Sequence, residues 1–523
     1  MEAQEKVPEP KPDPEQDAGQ RKGVSEPSSE GPPKLTPVLL VTSLVAAFGS
    51  SFQYGYNVAV IDAPTKDMQN FYNQTYYERK GEFLSESMVR LLWSLSVSMF
   101  PLGGLFGSFL VGPFVNKFGR KGTLLLNNMF SIVAAFLMGL SRRAGSYEMI
   151  IVGRFLVGIC AGISSNVVPM YLGELASRNL RGALSLLPQL FITIGILMAQ
   201  IFGLRFILGN NEQWPLLVGI TALPAILQVL LLPLFPESPR YLLIQKKDTN
   251  AARYALQRLR NWKDVEDELE EIRQEEDAQK AAGFVSVWKL FVTRSMRWQL
   301  ISIIILMAGQ QLSGVNAIYY YANQIYGITG VQPDHIQYVT VGTGAINMVA
   351  TLVSVFVVEL LGRRILLLLG FLLCGGACCV LTAALVLQDI VSWMPYLSIV
   401  CVLSYVVGHA LGPSPIPPLI ITETFLQSSR ASAFMVGGTV HWLSNFSVGL
   451  VFPFIQFSLG PYSFIIFACV CLITTIYICL ILPETKGKTF VEINEIFSKK
   501  NKPEVQPGKE LTDLPPTTEL SRS

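Results

Sequence analysis

From Leu35 onward the chain repeatedly runs for about twenty residues without a charge, the length a helix needs to cross roughly 30 Å of hydrocarbon. Twelve such stretches are read: Leu35–Asn57, Leu91–Gly112, Thr123–Leu140, Met149–Tyr171, Ala183–Leu204, Trp214–Phe235, Gln299–Tyr321, His335–Val358, Ile365–Leu387, Trp393–Ile420, Ala431–Leu459 and Pro461–Leu482. The last two lie in one uncharged run, and Gly460-Pro461 is the natural break within it. Backbone inside lipid must satisfy its own hydrogen bonds, so the pattern predicts an all-α membrane protein with twelve transmembrane helices. Composition agrees: half of the 523 residues are hydrophobic and only 15% are charged, against about 25% in an ordinary soluble chain.

Forty Lys and Arg against thirty-eight Asp and Glu leave a formal charge of +2, too small to suggest a nucleic-acid partner. The eight cysteines fall inside apolar runs and read as packing residues rather than a disulfide framework. His335, His409 and His441 stand far apart, with no ligand-like spacing to a cysteine or carboxylate, so no metal and no cofactor is expected. A membrane-embedded enzyme would need clustered acids, histidines or a metal site, and the spans offer none.

Lys and Arg accumulate in cytoplasmic connections. Lys117, Arg120 and Lys121, Arg178 and Arg181, Arg363 and Arg364, and Arg430 therefore place alternate connections inside. Both termini are then cytoplasmic, in a multi-pass protein expected at the plasma membrane. Val58–Arg90 falls outside, where Asn73-Gln74-Thr75 supplies a glycosylation sequon at Asn73. Arg142-Arg143, in a connection placed outside, runs against the rule, and the sequon Asn445-Phe446-Ser447 lies mid-span, where it is inert.

Residues 1–34 have almost no large apolar side chain and read as a disordered cytoplasmic tail; 484–523 form a second tail, disordered from Lys499. Bundles at 35–236 and 299–483 flank a linker at 237–298. In it Leu256, Leu259, Val265, Leu269 and Ile272 recur among charges, which predicts short amphipathic helices, with a solvated linker as the alternative.

The two bundles repeat one another. Gly119-Arg120-Lys121 matches Gly362-Arg363-Arg364 at an offset of 243, Glu174 and Arg181 match Glu423 and Arg430 at 249, and Pro236-Glu237-Ser238 matches Pro483-Glu484-Thr485 at 247. Motifs recurring in order at the same end of equivalent spans imply two pseudo-symmetric six-helix halves, an arrangement that frames transporters with a site near the midplane. Amides stand mid-span at Gln189, Gln310, Gln311, Asn316 and Asn347. Each either ties helices together or serves a ligand rich in hydroxyls, since an amide both donates and accepts. Gln310 and Gln311 point about 100° apart on a helix, so one can face a ligand while the other braces a neighbour.

These features resemble the facilitative hexose transporters of the sugar-porter branch of the major facilitator superfamily. The resemblance runs from about Leu35 to Phe490 and is carried by FGRKG at Phe118–Gly122, PMYLGELASRNLRG at Pro169–Gly182, PESPRYL at Pro236–Leu242, QQLSGVNAIYYY at Gln310–Tyr321, VELLGRR at Val358–Arg364 and PETKGKTF at Pro483–Phe490. The family's loop motif often carries Asp where this chain has Asn116, which weakens one expected gate contact. HALGPSPIP at His409–Pro417 and HWLSNF at His441–Phe446 are similar to the family's fructose-carrying members. Glucose-selective members usually have Trp where Pro418 stands and Gln-Leu-Ser where Met307-Ala308-Gly309 stands; both departures favour D-fructose and leave a dual glucose/fructose carrier open.

The resemblance implies that Gln189, Gln310, Gln311, Asn316 and Asn347 contact sugar, with Ile192 and Ile196 beside Gln189. It places Tyr54, His409, Ser414, His441 and Trp442 around the cavity. Read alone, Trp442 is more often a core or interfacial aromatic, and a lone histidine is equally a packing residue. At Asn57 the proton-coupled relatives carry Asp, so the absence of a first-span carboxylate favours uniport over the alternative, proton symport. The intramembrane charge Arg154 is assigned to the cytoplasmic charge cluster or to a structural partner. Arg120, Glu174, Arg181 and Glu237 from one half and Glu359, Arg364, Glu423 and Arg430 from the other are expected to form an ion-pair network across the seam that biases the outward-open state, or else merely to orient loops. The reading is a monomeric hexose uniporter working by alternating access in a lipid bilayer, with a sugar-binding receptor as the rival from another class.

Overall fold

The computed structural model describes residues 35–279, 285–318, 326–327 and 332–501. The tails at 1–34 and 502–523, and Tyr319, Tyr320 and Tyr321 at the end of the seventh predicted span, lie outside the described residues. The described elements are helices, and ten helical segments are long and apolar enough to cross a membrane. One of them, Glu86–Ala144, has 59 residues and at about 90 Å is too long for one crossing. Its backbone turns at Gly119 (φ 77°, ψ −178°), which divides it into the second and third spans. The apolar 33-residue helix Gln427–Leu459 supplies the eleventh, so the fold is the twelve-helix bundle in two halves.

Gly362 repeats that turn in the second half, at φ 85° and ψ 174°. This backbone region belongs to glycine, because a Cβ would clash. The neighbours make the demand specific: a Cβ on Gly119 would lie 2.6 Å from Glu237 Oε2, and one on Gly362 would lie 2.4 Å from Glu484 Oε2. Each glycine opens a helix whose first amides point at that carboxylate. Arg120 and Lys121 N–H donate to Glu237 at 3.2 and 3.0 Å; Arg363 and Arg364 N–H donate to Glu484 at 3.1 and 3.2 Å. A carboxylate satisfies the unpaired N–H groups of a helix start and sits favourably at the positive end of its dipole. The recurrence of Gly-Arg with Pro-Glu at a near-constant offset is therefore one structural unit used twice.

The first span is not uniform. Its α-helix Pro37–Ala46 widens into a π-turn over Ala47–Phe52 before Gln53–Ala59. It packs on the fifth span, Arg181–Phe202, with almost no separation. A Cβ on Gly55 would fall 1.9 Å from the Ile192 carbonyl oxygen, and one on Gly195 2.2 Å from that of Phe52. Reciprocal glycines let two membrane helices touch along their backbones, and here they set Tyr54 beside Gln189 and Ile192. The tenth span breaks where its prolines predict: Met394–Leu411 stops at Gly412, and Ile416–Thr424 resumes the crossing.

Helices Thr249–Arg260, Glu266–Gln279, Val287–Val292 and Phe490–Asn501 lie at the end that carries Gly119 and Gly362. Leu256, Leu259, Val265, Leu269 and Ile272 are all buried there. At the other end Asn73 sits half-buried on helix Thr65–Lys80, its Oδ1 accepting from the Leu84 N–H at 2.8 Å. Arg142, which contravened the charge rule, donates to the Asn211 carbonyl at 2.5 Å with its guanidinium 6.0 Å from the Trp214 ring, a structural tie. Arg154 also belongs to this end. It lies 2.7 Å from the Asn57 carbonyl and 4.8 Å from the Phe100 ring, so of its two assignments the structural partner holds and the cytoplasmic cluster does not.

Candidate functional site

Between the halves lies a cavity of about 540 Å³, counted out through its opening to solvent. The first half contributes Ser51, Tyr54, Ser165, Asn166, Pro169, Ser185, Pro188, Gln189 and Ile192; the second contributes Met307, Gln310, Ser414, Pro415, Pro418, Gly438 and His441. None of these is charged. Hydroxyls, amides, an imidazole and apolar faces alternate around the space, and such a surface is complementary to a ligand with several hydroxyls and no charge.

Gln310 anchors the second-half wall. Its Nε2 donates to the Ser414 carbonyl at 2.6 Å, its Oε1 lies 2.9 Å from His441 Nδ1, and its own carbonyl lies 2.8 Å from His409 Nε2. Because a carbonyl oxygen only accepts, these contacts put the protons on His441 Nδ1 and His409 Nε2. Gln311 Nε2, 3.5 Å from the same His441 Nδ1, then has no acceptor there, and the shorter contact prevails. His441 keeps Nε2 as a buried acceptor without a partner, and Gln311 Oε1 and the Trp442 indole N–H are likewise unpaired.

Six of the twelve residues assigned to substrate line the cavity: Tyr54, Gln189, Ile192, Gln310, Ser414 and His441. The other six do not. Trp442 stands behind, 5.6 Å from the Tyr54 ring and 5.1 Å from the His441 ring. It fits only because its neighbour is Gly104, where a Cβ would come within 2.5 Å of the indole. His409 braces Gln310, Gln311 lies beside His441, and Ile196 packs into the apolar core one turn from Ile192. Asn316 is exposed and donates to Asn445 Oδ1 at 3.2 Å, beyond the break at Gly314, where the seventh span turns before its helix resumes. Asn347 is half-buried on the eighth span. Sequence reasoning passed over Ser165, Asn166 and Ser185, although Ser164-Ser165-Asn166 interrupts an apolar span and was the signal available.

A buried ion-pair network closes one end of the cleft. Glu174 lies 3.0 Å from Arg120 of its own half and 2.8 Å from Arg430 of the other. Glu423 lies 2.9 Å from Arg363 of its own half and 3.0 Å from Arg181 of the other. The repeat thus appears as two equivalent carboxylates, each shared between halves. Glu359 adds an ion pair to Arg363 at 3.3 Å and accepts the Gly182 N–H at 2.7 Å. The linker joins through Glu275, 3.5 Å from Arg430 and 3.0 Å from Arg240. Phe490 offers its ring to Arg181, Arg240 and Arg430 at 4.5–4.7 Å.

Two assignments are corrected. Arg364 is not in the network: its side chain donates to the Cys479 carbonyl at 2.6 Å, and Arg363, which the repeat aligns with Arg120, takes the place instead. Glu237 makes no ion pair among the described residues; it caps the helix that starts at Arg120. Burial pushes its carboxyl above the ordinary range, against the lowering effect of the Lys121 and Ser238 amides. At Asn116 the expected weak contact is a 3.5 Å approach from Gln245 Nε2.

Known proteins agree with this architecture. A family profile described as sugar (and other) transporter matches residues 42–497. Solute carrier family 2, facilitated glucose transporter member 5 of Homo sapiens is 71% identical over 487 residues, 93% of this chain and 97% of that protein. Member 7 from Mus musculus is 58% identical over 486 residues, covering 93% and 95%. Among solved structures, the proton:xylose symporter XylE bound to 6-bromo-6-deoxy-D-glucose superposes with a TM-score of 0.78 at 23% identity, over 89% of this chain and 100% of that one. Its inward-open form from E. coli gives 0.63 at 24% identity, over 88% and 99%. The structural likeness is one of fold, and the sequence identity extends over both halves. The chain therefore belongs to the sugar transporter family, multi-pass membrane carriers of the major facilitator fold.

Proposed function

We infer that the protein is a facilitative carrier of D-fructose that works as a single chain by alternating access at the plasma membrane. The observation that carries this reading is the charge-free cavity walled by both halves, closed at one end by cross-half ion pairs. Relatives named as facilitated glucose transporters support the hexose class and the facilitated mode. The fructose preference rests on the cavity wall itself. Pro418 and Met307, where glucose-selective members differ, both face the space, so the departures alter its shape directly.

Lining residues 54, 189, 192, 310, 414 and 441 meet the sugar, and 196, 311, 316, 347, 409 and 442 support or flank them. A handful of net hydrogen bonds at roughly 0.5–1.5 kcal/mol each, less the cost of association, gives about −4 kcal/mol and a millimolar constant. Uniport is favoured because position 57 carries an amide, whose Nδ2 donates to the Gln53 carbonyl at 2.9 Å and Thr221 Oγ1 at 2.7 Å, in place of a titratable carboxylate. With the network end and both tails in the cytoplasm and Asn73 carrying glycan outside, the structure is the state closed to the cytoplasm. Bundles 35–236 and 299–483 rock about the cavity, with 237–298 and 484–501 as latches.

Labelled-sugar flux into proteoliposomes is the test. Saturable fructose uptake exceeding glucose and galactose is expected, with counterflow and no uphill accumulation under an imposed pH gradient. Glucose uptake without fructose uptake rejects the substrate, proton-driven accumulation establishes symport, and binding without counterflow makes the protein a receptor.

A further inference from the structure

The six-residue helix Val287–Val292 stands immediately before the seventh span and turns Leu290 inward and three apolar residues outward beside Lys289. Leu290 is fully buried, whereas Trp288, Phe291 and Val292, at positions i, i+3 and i+4, are 78%, 54% and 62% exposed. It is fixed at this height. The Ser286 hydroxyl caps it, and the preceding Val285 exchanges hydrogen bonds with Ser428 and Ser432 at the start of the eleventh span. Arg294 and Arg297 follow, both exposed and without a carboxylate partner among the described residues.

A second basic pair arrives from two hundred residues away. Asn501, at the end of helix Phe490–Asn501, donates to the Ser295 carbonyl and to Gln299 Oε1 at 3.1 Å, and accepts the Trp298 N–H at 3.2 Å. This docking sets the exposed Lys499 and Lys500 against the same corner, with Glu495 one turn back along the helix. The Lys500 ammonium turns back to donate to the Ile481 carbonyl, and partial burial there, and next the Arg364 guanidinium, hold it below its usual range. Exposed aromatic side chains beside guanidinium groups at the end of a membrane span suit a surface that is apolar on one side and phosphate-rich on the other.

We propose that this corner is a binding site for anionic phospholipids of the leaflet at the network end, with Trp288 and Phe291 in the acyl-headgroup boundary and Arg294, Arg297 and Lys499 on the phosphate and carboxylate groups. The leaflet is the cytoplasmic one in the orientation proposed above; the site itself does not depend on the transported sugar. Each basic residue near an anionic surface strengthens binding about fivefold.

The full-length protein in nanodiscs of phosphatidylcholine, with brominated phosphatidylcholine or brominated phosphatidylserine added, reads the site through Trp288 fluorescence, taken as the difference from Trp288→Phe. Brominated phosphatidylserine is expected to quench at a lower mole fraction than brominated phosphatidylcholine. Arg294→Gln/Arg297→Gln should shift that mole fraction toward the neutral lipid's by about twenty-five-fold in preference, with Arg294→Lys/Arg297→Lys retaining most of it. Should the double variant not fold, Lys499→Gln gives the same readout with a smaller shift. Equal quenching by the two lipids, quenching by neither because a second copy or other protein covers the face, or reversal of the preference by inorganic phosphate overturns the proposal.

Discussion

Glu174 and Arg430, 256 residues apart, meet at 2.8 Å across the seam with neither side chain exposed to solvent. Removing one member of such a pair leaves the other charge buried and costs about 3–5 kcal/mol, far more than an exposed pair contributes. In the alternating-access reading proposed above, the pair holds only while the network end is closed, so its loss penalises that state alone. Arg430→Ala is expected to shift the population toward opening at this end. A cysteine placed at cavity residue Ser185 should then react several-fold faster with an impermeant thiol reagent applied from the network side than in the parent. Arg430→Lys, which keeps the positive charge between Glu174 and Glu275, should recover part of the closure, and unchanged labelling in Arg430→Ala would remove the network from the gate.

Gln189 lies in the cavity wall on the same helix face as Ile192, directly after Pro188. Gln189→Glu keeps the volume and replaces a group that donates and accepts with one that, when ionised, only accepts. Selectivity among hexoses, which differ in the placement of hydroxyls, should therefore change more than folding does. Paired fructose and glucose uptake should show an altered ratio with a melting temperature within a few degrees of the parent; an unchanged ratio in well-expressed protein would falsify a sugar contact at this position.

Much of this architecture was legible because membrane helices write their length and their neutral faces into the sequence. Gly119 with Glu237 and Gly362 with Glu484 show where the reading reached and where it stopped. The recurrence is visible, but an offset identifies equivalent positions without saying which way a side chain points, so charge alone suggests Glu237 as a gate residue and does not separate Arg364 from Arg363. Glu275 could not be singled out at all: helix Glu266–Gln279 carries many acids, and only the packing of the linker on the eleventh span selects one for burial. The cavity was half legible for a similar reason. Long amides such as Gln189 and Gln310 advertise themselves mid-span, whereas Ser165, Ser185 and Gly438 become wall only after two halves meet.

Gly104 tests that meeting without touching the sugar. A Cβ there would press within 2.5 Å of the Trp442 ring, and overpacking of this kind costs about 1–3 kcal/mol unless the ring moves. The indole backs both Tyr54 and His441, so its displacement should carry into the cavity wall. Gly104→Ala is expected to raise the fructose KM several-fold with a smaller change in maximal rate. In a Trp442→Phe background the smaller ring leaves room, and most of that effect should vanish. Additive effects of the two substitutions would separate Gly104 from the site.

Glu237 makes the pH dependence of stability a test of the helix cap. Its carboxyl is held above the ordinary range by burial, so the folded state binds the proton more tightly than the unfolded chain does. The sign follows: this stabilising contribution is fully present below the unfolded value and is lost as pH rises through the raised folded value. Glu237→Gln removes the titration while keeping an oxygen that accepts the Arg120 and Lys121 N–H bonds. Relative to this variant, the parent should lose melting temperature as pH rises from the ordinary carboxylate range through the raised folded value, and run parallel to it outside that window. Glu237→Ala, which leaves those amides without their acceptor, should be about 1–3 kcal/mol less stable at every pH. Thermal melts of the three proteins in one detergent across that pH range decide it, and a parent curve parallel to Glu237→Gln throughout would show that the carboxyl does not titrate above its ordinary range.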